Sequence, residues 1–241
     1  MGLLRLILFD LDGTLGYSSL GAEFADAILF DYARFISENT GIGTKRIAKA
    51  ILEVIIELKK KPPKPKTITE AFLELLGKKL DESKAELEII TNKYYEMQFD
   101  KFGEFYKPIP GAREILIELF KQNLKIGIAT DPITKRPGVL KRLQWANLID
   151  LPFHYITSAD NMHAAKPHPL FYKELLEIFN VAPHETIMVG DKIDNDIIPA
   201  KSLGITTIYI GDLKSENLTV PDYTISNIKQ LLELLRKEKF V

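Results

Sequence analysis

Two carboxylates one residue apart, Asp10 and Asp12, are followed by Gly13 and Thr14 and stand directly after an apolar run at 3–9 that only Arg5 interrupts. An apolar run of that length, stopped by acids and a glycine, suits a strand buried on both faces of a parallel sheet. Side chains at i and i+2 of an extended segment project to the same side, so both carboxylates can approach one bound group. Held close and away from water they repel each other, a cost that a cation or a reacting electrophile offsets. The plain alternative is an Asp-Gly turn with Thr14 as a cap. An EF-hand loop fails, because no Asp or Asn stands at the needed place before Gly13 and no Glu closes the loop.

Three later stretches carry chemistry-bearing side chains just past segments that read as strands. In Thr130-Asp131-Pro132 the threonine hydroxyl can hydrogen-bond a phosphoryl oxygen. In Lys166-Pro167-His168-Pro169 an ammonium is available to neutralise carboxylates and a phosphoryl group, the prolines fixing the loop that aims it. His168 is expected to face solvent or pack near the helix start. Residues 189–196, Val-Gly-Asp-Lys-Ile-Asp-Asn-Asp, supply acids suited to a hard cation, Mg²⁺ where phosphate is handled. There Asp191 reads as the ligand and Asp194 as the cap of the following helix.

The elements that must position these groups follow from periodicity. Strand-like segments at 125–130, 154–157, 186–190, 206–210 and 223–225 alternate with helical ones at 112–122, 139–146, 169–179, 196–203 and from 228 onward, which predicts an α/β fold with a mostly parallel sheet. Residues 22–105 instead carry helical spacing alone. One helix ends near Gly41. The next starts at a capping Thr44 and shows Ile47, Ile51, Ile55 and Leu58 on one face; a third ends at Gly77, and a fourth carries Leu87, Ile90, Tyr94 and Met97. The run 59–66, Lys-Lys-Lys-Pro-Pro-Lys-Pro-Lys, cannot continue a helix and reads as a solvated loop or hinge that would let the helical segment move.

The totals narrow the function. With 46% hydrophobic and 27% charged residues in 241, the chain supports a substantial core, and a net charge of −1 gives no general attraction to nucleic acid or to an anionic membrane. The opening apolar run is too short to span a bilayer and contains Arg5, so no membrane association is expected and the cytoplasm is the default location. Cysteine is absent, which excludes disulfides, thiolate sites and a Cys nucleophile, and four histidines make a zinc cluster a poor reading.

Taken together, Phe9-Asp10-Leu11-Asp12-Gly13-Thr14, the Lys166-Pro167-His168-Pro169 stretch and the Val189–Asp196 stretch resemble the haloacid dehalogenase-like hydrolase superfamily in order and spacing. The resemblance implies a Rossmann-like catalytic core at 1–16 and 106–241 with an inserted α-helical cap at 17–105. It implies Asp10 as nucleophile, Asp12 as general acid/base, and Thr130 and Lys166 as the phosphoryl-stabilising pair, with Gly13, Thr14 and Asp131 at the substrate. Its Mg²⁺ ligands would be Asp10, the Asp12 carbonyl and Asp191, with Asp196 supporting the metal shell. The family usually has Asn where Asp131 stands, and an added anion near a phosphate is unfavourable unless it points away. Tyr17 and Lys192 also depart from the usual pattern. The function expected is a Mg²⁺-dependent phosphatase acting on a small phosphorylated metabolite through an aspartyl-phosphate, oligomeric state left open. A phosphomutase, a 2-haloacid dehalogenase and a non-catalytic phosphate-binding module are the alternatives. Asp12 speaks against the dehalogenase, because a departing halide needs no proton donor.

Overall fold

A computed structural model describes residues 4–212 and 220–241, so Leu3, the start of the expected opening strand, lies outside the described residues. Strand β1 (Leu6–Phe9) leads into a short β2 (Gly16–Ser18). The helices α1 (Glu23–Thr40), α2 (Thr44–Lys60), α3 (Ile68–Leu80) and α4 (Lys84–Met97) follow, and the chain returns through β3 (Tyr106–Pro108). Strand and helix then alternate: α5 (Ala112–Phe120), β4 (Lys125–Ile128), α6 (Arg136–Trp145), β5 (Tyr155–Ile156), α7 (Pro169–Phe179), β6 (Thr186–Gly190), α8 (Ile198–Lys201), β7 (Thr206–Ile210), β8 (Tyr223–Ile225) and α9 (Leu231–Lys237).

Among the described residues the main sheet has six strands in the order β5-β4-β1-β6-β7-β8, each pair parallel. This is the Rossmann-like α/β architecture expected. The apolar run at β1 is explained by burial on both faces. Leu6 and Leu8 pack with Met162, Phe171 and Tyr172, whereas Ile7 and Phe9 belong to the cluster holding Leu116, Leu143 and Leu231. From β1 the chain builds outward through β4 and β5, then crosses to the other side of β1 and builds outward again through β6, β7 and β8. That reversal leaves a crevice beside the carboxyl end of β1, where open α/β sheets hold their ligands.

The helices of the insertion pack in a ring, α1 against α2 and α4, and α3 against the same two. Thr67 caps α3: its hydroxyl accepts from the Glu70 N–H at 3.3 Å, and the Glu70 carboxylate accepts from the Thr67 N–H at 2.8 Å. Three local expectations are corrected. Thr44 is the first helical residue, and Gly43 occupies the cap with no side-chain bond. Gly77 lies inside α3, which runs to Leu80 and stops at Asp81 in the left-handed region; a Cβ at Gly77 would meet the Glu82 carbonyl at 2.7 Å, so close backbone approach explains that glycine. Met97 is 67% exposed and not part of a packed stripe.

The insertion is joined to the rest of the fold at several places. β2 and β3 pair antiparallel, Gly16 with Pro108 and Ser18 with Tyr106. At the far side the Ile68 N–H donates to the Met162 carbonyl at 2.9 Å and the Thr69 N–H to the Ala159 carbonyl at 2.8 Å. Val54, Leu58, Ile68, Ala71, Ala159 and Ala165 form one apolar cluster around that seam. No described helix is long and apolar enough to cross a membrane.

Aromatic packing joins the helical turn that follows α4 (Phe99–Phe105) to α6: Phe99 stacks on Trp145, with ring centroids 5.5 Å apart and planes 17° apart. Replacing the fully buried Phe99 by Ala is expected to cost about 3–5 kcal/mol and to shift the emission of the sole tryptophan to the red; urea unfolding followed by circular dichroism and fluorescence measures both.

Candidate active site

β1 ends at Phe9, and its ladder continues through Asp10, whose N–H donates to the Val189 carbonyl at 2.9 Å. Asp10 thereby sits at the mouth of the crevice between β4 and β6. Gly13 turns the chain with φ +98°, and a Cβ there would overlap the Asp191 carboxylate, so only glycine lets the two loops approach this closely. Asp191 directly follows β6, as read from the sequence.

The centre of the site is a buried lysine. Lys166 Nζ donates to Asp10 Oδ1 at 2.8 Å and to Asp196 Oδ1 at 2.6 Å. Asp196 is in turn held by the Lys192 backbone N–H, which donates to Oδ2 at 3.0 Å. Asp194 does not cap the following helix; the chain starts there with a wide turn over Ile193–Ile197, and no side chain caps it. His168 accepts from the Leu170 N–H at 3.2 Å at the start of α7, consistent with a packing role.

Oxygens of Asp10, Asp191 and Asp196 lie within 4.8 Å of one another. Burial pushes the Asp10 carboxyl up, Lys166 opposes, and Asp196, Asp191 and Asp12 push further, to about 8. Burial, with Asp196, raises Asp191 to about 6. Burial works against the Lys166 charge, yet Asp10 and Asp196 hold it well above its ordinary value. Asp191 Oδ1 is buried with no hydrogen-bond partner among the described residues. An orphaned carboxylate oxygen in an oxygen-only cluster of excess negative charge fits a hard dication such as Mg²⁺.

Asp12 lies off this cluster. Tyr106 Oη donates to its Oδ1 at 2.6 Å, and Arg142 Nη1 pairs with its Oδ2. Arg142 is buried, and its Nε and Nη2 have no partner among the described residues. Thr14 is fully buried with an unpartnered hydroxyl. Thr130 is buried at the end of β4, its carbonyl accepting from the Thr157 hydroxyl at 2.7 Å. Asp131 is compensated: Lys59 Nζ, from the last turn of α2, donates to its Oδ2 at 2.5 Å. The basic run 59–66 is therefore not wholly a solvated loop, since its first lysine reaches the site.

Sequence reasoning missed Tyr106, Arg142 and Lys59. Arg142 left a trace: it falls three residues after Val139 and four before Ala146, on the apolar stripe of α6, where an unpaired arginine is out of place. Tyr106 lies in a strand too short for periodicity to show.

The family model described as haloacid dehalogenase-like hydrolase matches residues 39–210. The chain is 31% identical over 245 residues to a glyceraldehyde 3-phosphate phosphatase of Methanocaldococcus jannaschii, covering 98% of this chain and 99% of that one. It is 37% identical over 141 residues to the protein of the same name from Pyrococcus furiosus, covering 56% of this chain and 57% of that one. A 2-haloacid dehalogenase from Pseudomonas syringae superposes with a TM-score of 0.65 at 22% identity, covering 98% of this chain and 100% of that one, a likeness of fold.

Two outcomes follow from the buried charges. Asp10 and Asp191, raised to about 8 and about 6, retain protons in the folded state that the unfolded chain has already released, so metal-free stability falls as pH rises from about 4 to about 8. Mg²⁺ competes with those protons and should raise Tm more at about pH 8 than at about pH 5, as thermal melts with EDTA or Mg²⁺ would show. Lys166→Met strands two buried carboxylates and should destabilise the metal-free protein by roughly 3–5 kcal/mol by chemical denaturation.

Proposed function

Since this chain belongs to the haloacid dehalogenase-like hydrolases, we propose that it is a Mg²⁺-dependent phosphatase that hydrolyses a small phosphomonoester through an aspartyl-phosphate on Asp10. The observation that carries this reading is Lys166 Nζ bound to both Asp10 and Asp196, beside the unpartnered Asp191 oxygen. The names of the relatives, glyceraldehyde 3-phosphate phosphatases, support it. In this reading residues 1–16 and 106–241 are the catalytic core and 17–105 the cap that excludes water from the crevice.

Lys166 fixes Asp10 Oδ1, which leaves Oδ2 to attack phosphorus. A bond forms between Oδ2 and phosphorus as the ester P–O bond breaks, and Asp12 gives its proton to the departing oxygen. Water then attacks the aspartyl-phosphate, Asp12 takes back a proton from it, and the Asp10–phosphorus bond breaks to release inorganic phosphate. Tyr106 and Arg142 fix the direction in which Asp12 points. Thr130 and Lys166 donate to the phosphoryl oxygens, where fixed donors stabilise developing charge. Asp10, Asp191 and the Asp12 backbone carbonyl would hold Mg²⁺, which when bound supplies positive charge against the phosphate dianion. Asp196, with one oxygen on Lys166 and the other on a backbone N–H, acts by positioning Lys166.

Phosphate release from a panel of phosphorylated small metabolites, with Mg²⁺ or EDTA, tests the reading. Turnover should require the metal and vanish in Asp10→Asn, while Asp12→Asn should lose about 10²–10⁴-fold in kcat. Metal-independent turnover, or an active Asp10→Asn, would remove the assignment; isomerised phosphoester without free phosphate would mark a mutase instead.

A further inference from the structure

An anion placed directly after Thr130 should repel a bound phosphoryl group, yet Asp131 occupies that position at the carboxyl end of β4, the neighbour of β1. Its charge is matched from across the seam: Lys59 Nζ lies 2.5 Å from Oδ2, with the two side chains 27% and 21% exposed. Lys59 is held there by its surroundings. The preceding Leu58 is packed into the apolar cluster at the seam, and α3 is tied to the core through the Ile68 and Thr69 N–H groups. Asp131 Oδ1 is left buried with no hydrogen-bond partner among the described residues. A buried acceptor in that state costs about 1–3 kcal/mol, and a ligand hydroxyl would relieve it.

We propose that Lys59 and Asp131 form the leaving-group subsite and select an uncharged, hydroxyl-bearing leaving group over one that carries a further anion. The inference rests on the phosphatase reading above and names its substrate class. An ionised carboxylate is an acceptor only, so Oδ1 accepts from a substrate hydroxyl but repels a carboxylate or phosphate oxygen placed there. The Lys59 charge is already answered by Asp131, and the pair offers a second anion no net attraction. Discrimination of this kind works by repelling the wrong ligand as much as by holding the right one. Small polyol and hydroxy-carbonyl phosphates fit; inorganic pyrophosphate does not.

The test compares kcat/KM for glycerol phosphate and for pyrophosphate in the full chain with Mg²⁺, in wild type, Asp131→Asn and Lys59→Met. Wild type should prefer glycerol phosphate. Asp131→Asn should raise the ratio of pyrophosphate to glycerol phosphate turnover by about tenfold or more, since like charges brought together cost several kcal/mol, and the change should lie mostly in KM. Lys59→Met, which bares the Asp131 charge, should move the ratio the opposite way and carries the test if Asp131→Asn does not fold. A folded variant with an unchanged ratio, or a wild type that prefers pyrophosphate, overturns the proposal. If wild type releases phosphate from no phosphomonoester at all, the phosphatase reading fails first and this one falls with it, a result distinct from an active enzyme with an unmoved ratio.

Discussion

Negative charge gathered at the mouth of a parallel sheet is the constraint to which the rest of the molecule answers. Asp10, Asp191 and Asp196 stand within reach of one another, and among the described residues Lys166 is the one side-chain cation hydrogen-bonded to them. The outlying acids are treated differently: Asp12 has Arg142 and Asp131 has Lys59, one cation to each. Surplus negative charge thus gathers in the Asp10–Asp191–Asp196 cluster, three acids to one lysine, with Asp191 Oδ1 left without a partner among the described residues. Charges this deeply withdrawn from water are tolerable only when matched or able to take up a counterion, so the pattern of matching marks where the counterion belongs.

The positions of the groups follow from strand order. A chain that built its sheet outward in one direction would leave Asp191 far from Asp10; the reversal around β1 brings the ends of β1, β4 and β6 side by side. Each loop then needs to contribute only one or two side chains. The glycine at 13 permits the last approach, between the first loop and the Asp191 carboxylate.

Much of this was legible in the sequence because the carriers of information were local. A strand buried on both faces must be apolar throughout, and Leu6–Phe9 is; Asp10 announces itself directly after it, whereas Asp12, two positions on, is held by Tyr106 and Arg142 away from the cluster. Helix periodicity in 22–105 separated the insertion from the alternating remainder. What escaped depended on contacts between distant segments. Nothing around Lys59 distinguishes it from the lysines beside it, and its partner lies 72 positions away. Tyr106 and Arg142 meet Asp12 only after the insertion has returned to the core. The errors at Thr44, Gly77 and Asp194 share a cause: cap preferences are local and weak, and close backbone packing or an unusual first turn overrode them.

The β2–β3 ribbon has a consequence for how such a chain can change over time. Because the outgoing and returning strands are hydrogen-bonded to each other, from Gly16 and Pro108 to Ser18 and Tyr106, whatever is threaded between them starts and finishes at one point on the scaffold. Helices between those ends can change in length while the strands that carry Asp10 and Asp191 keep their places, provided the seam of α2 and α3 with Ala159 and Ala165 is kept. The acidic cluster and the greater part of the insertion are thereby placed on separate stretches of chain, free to vary at different rates.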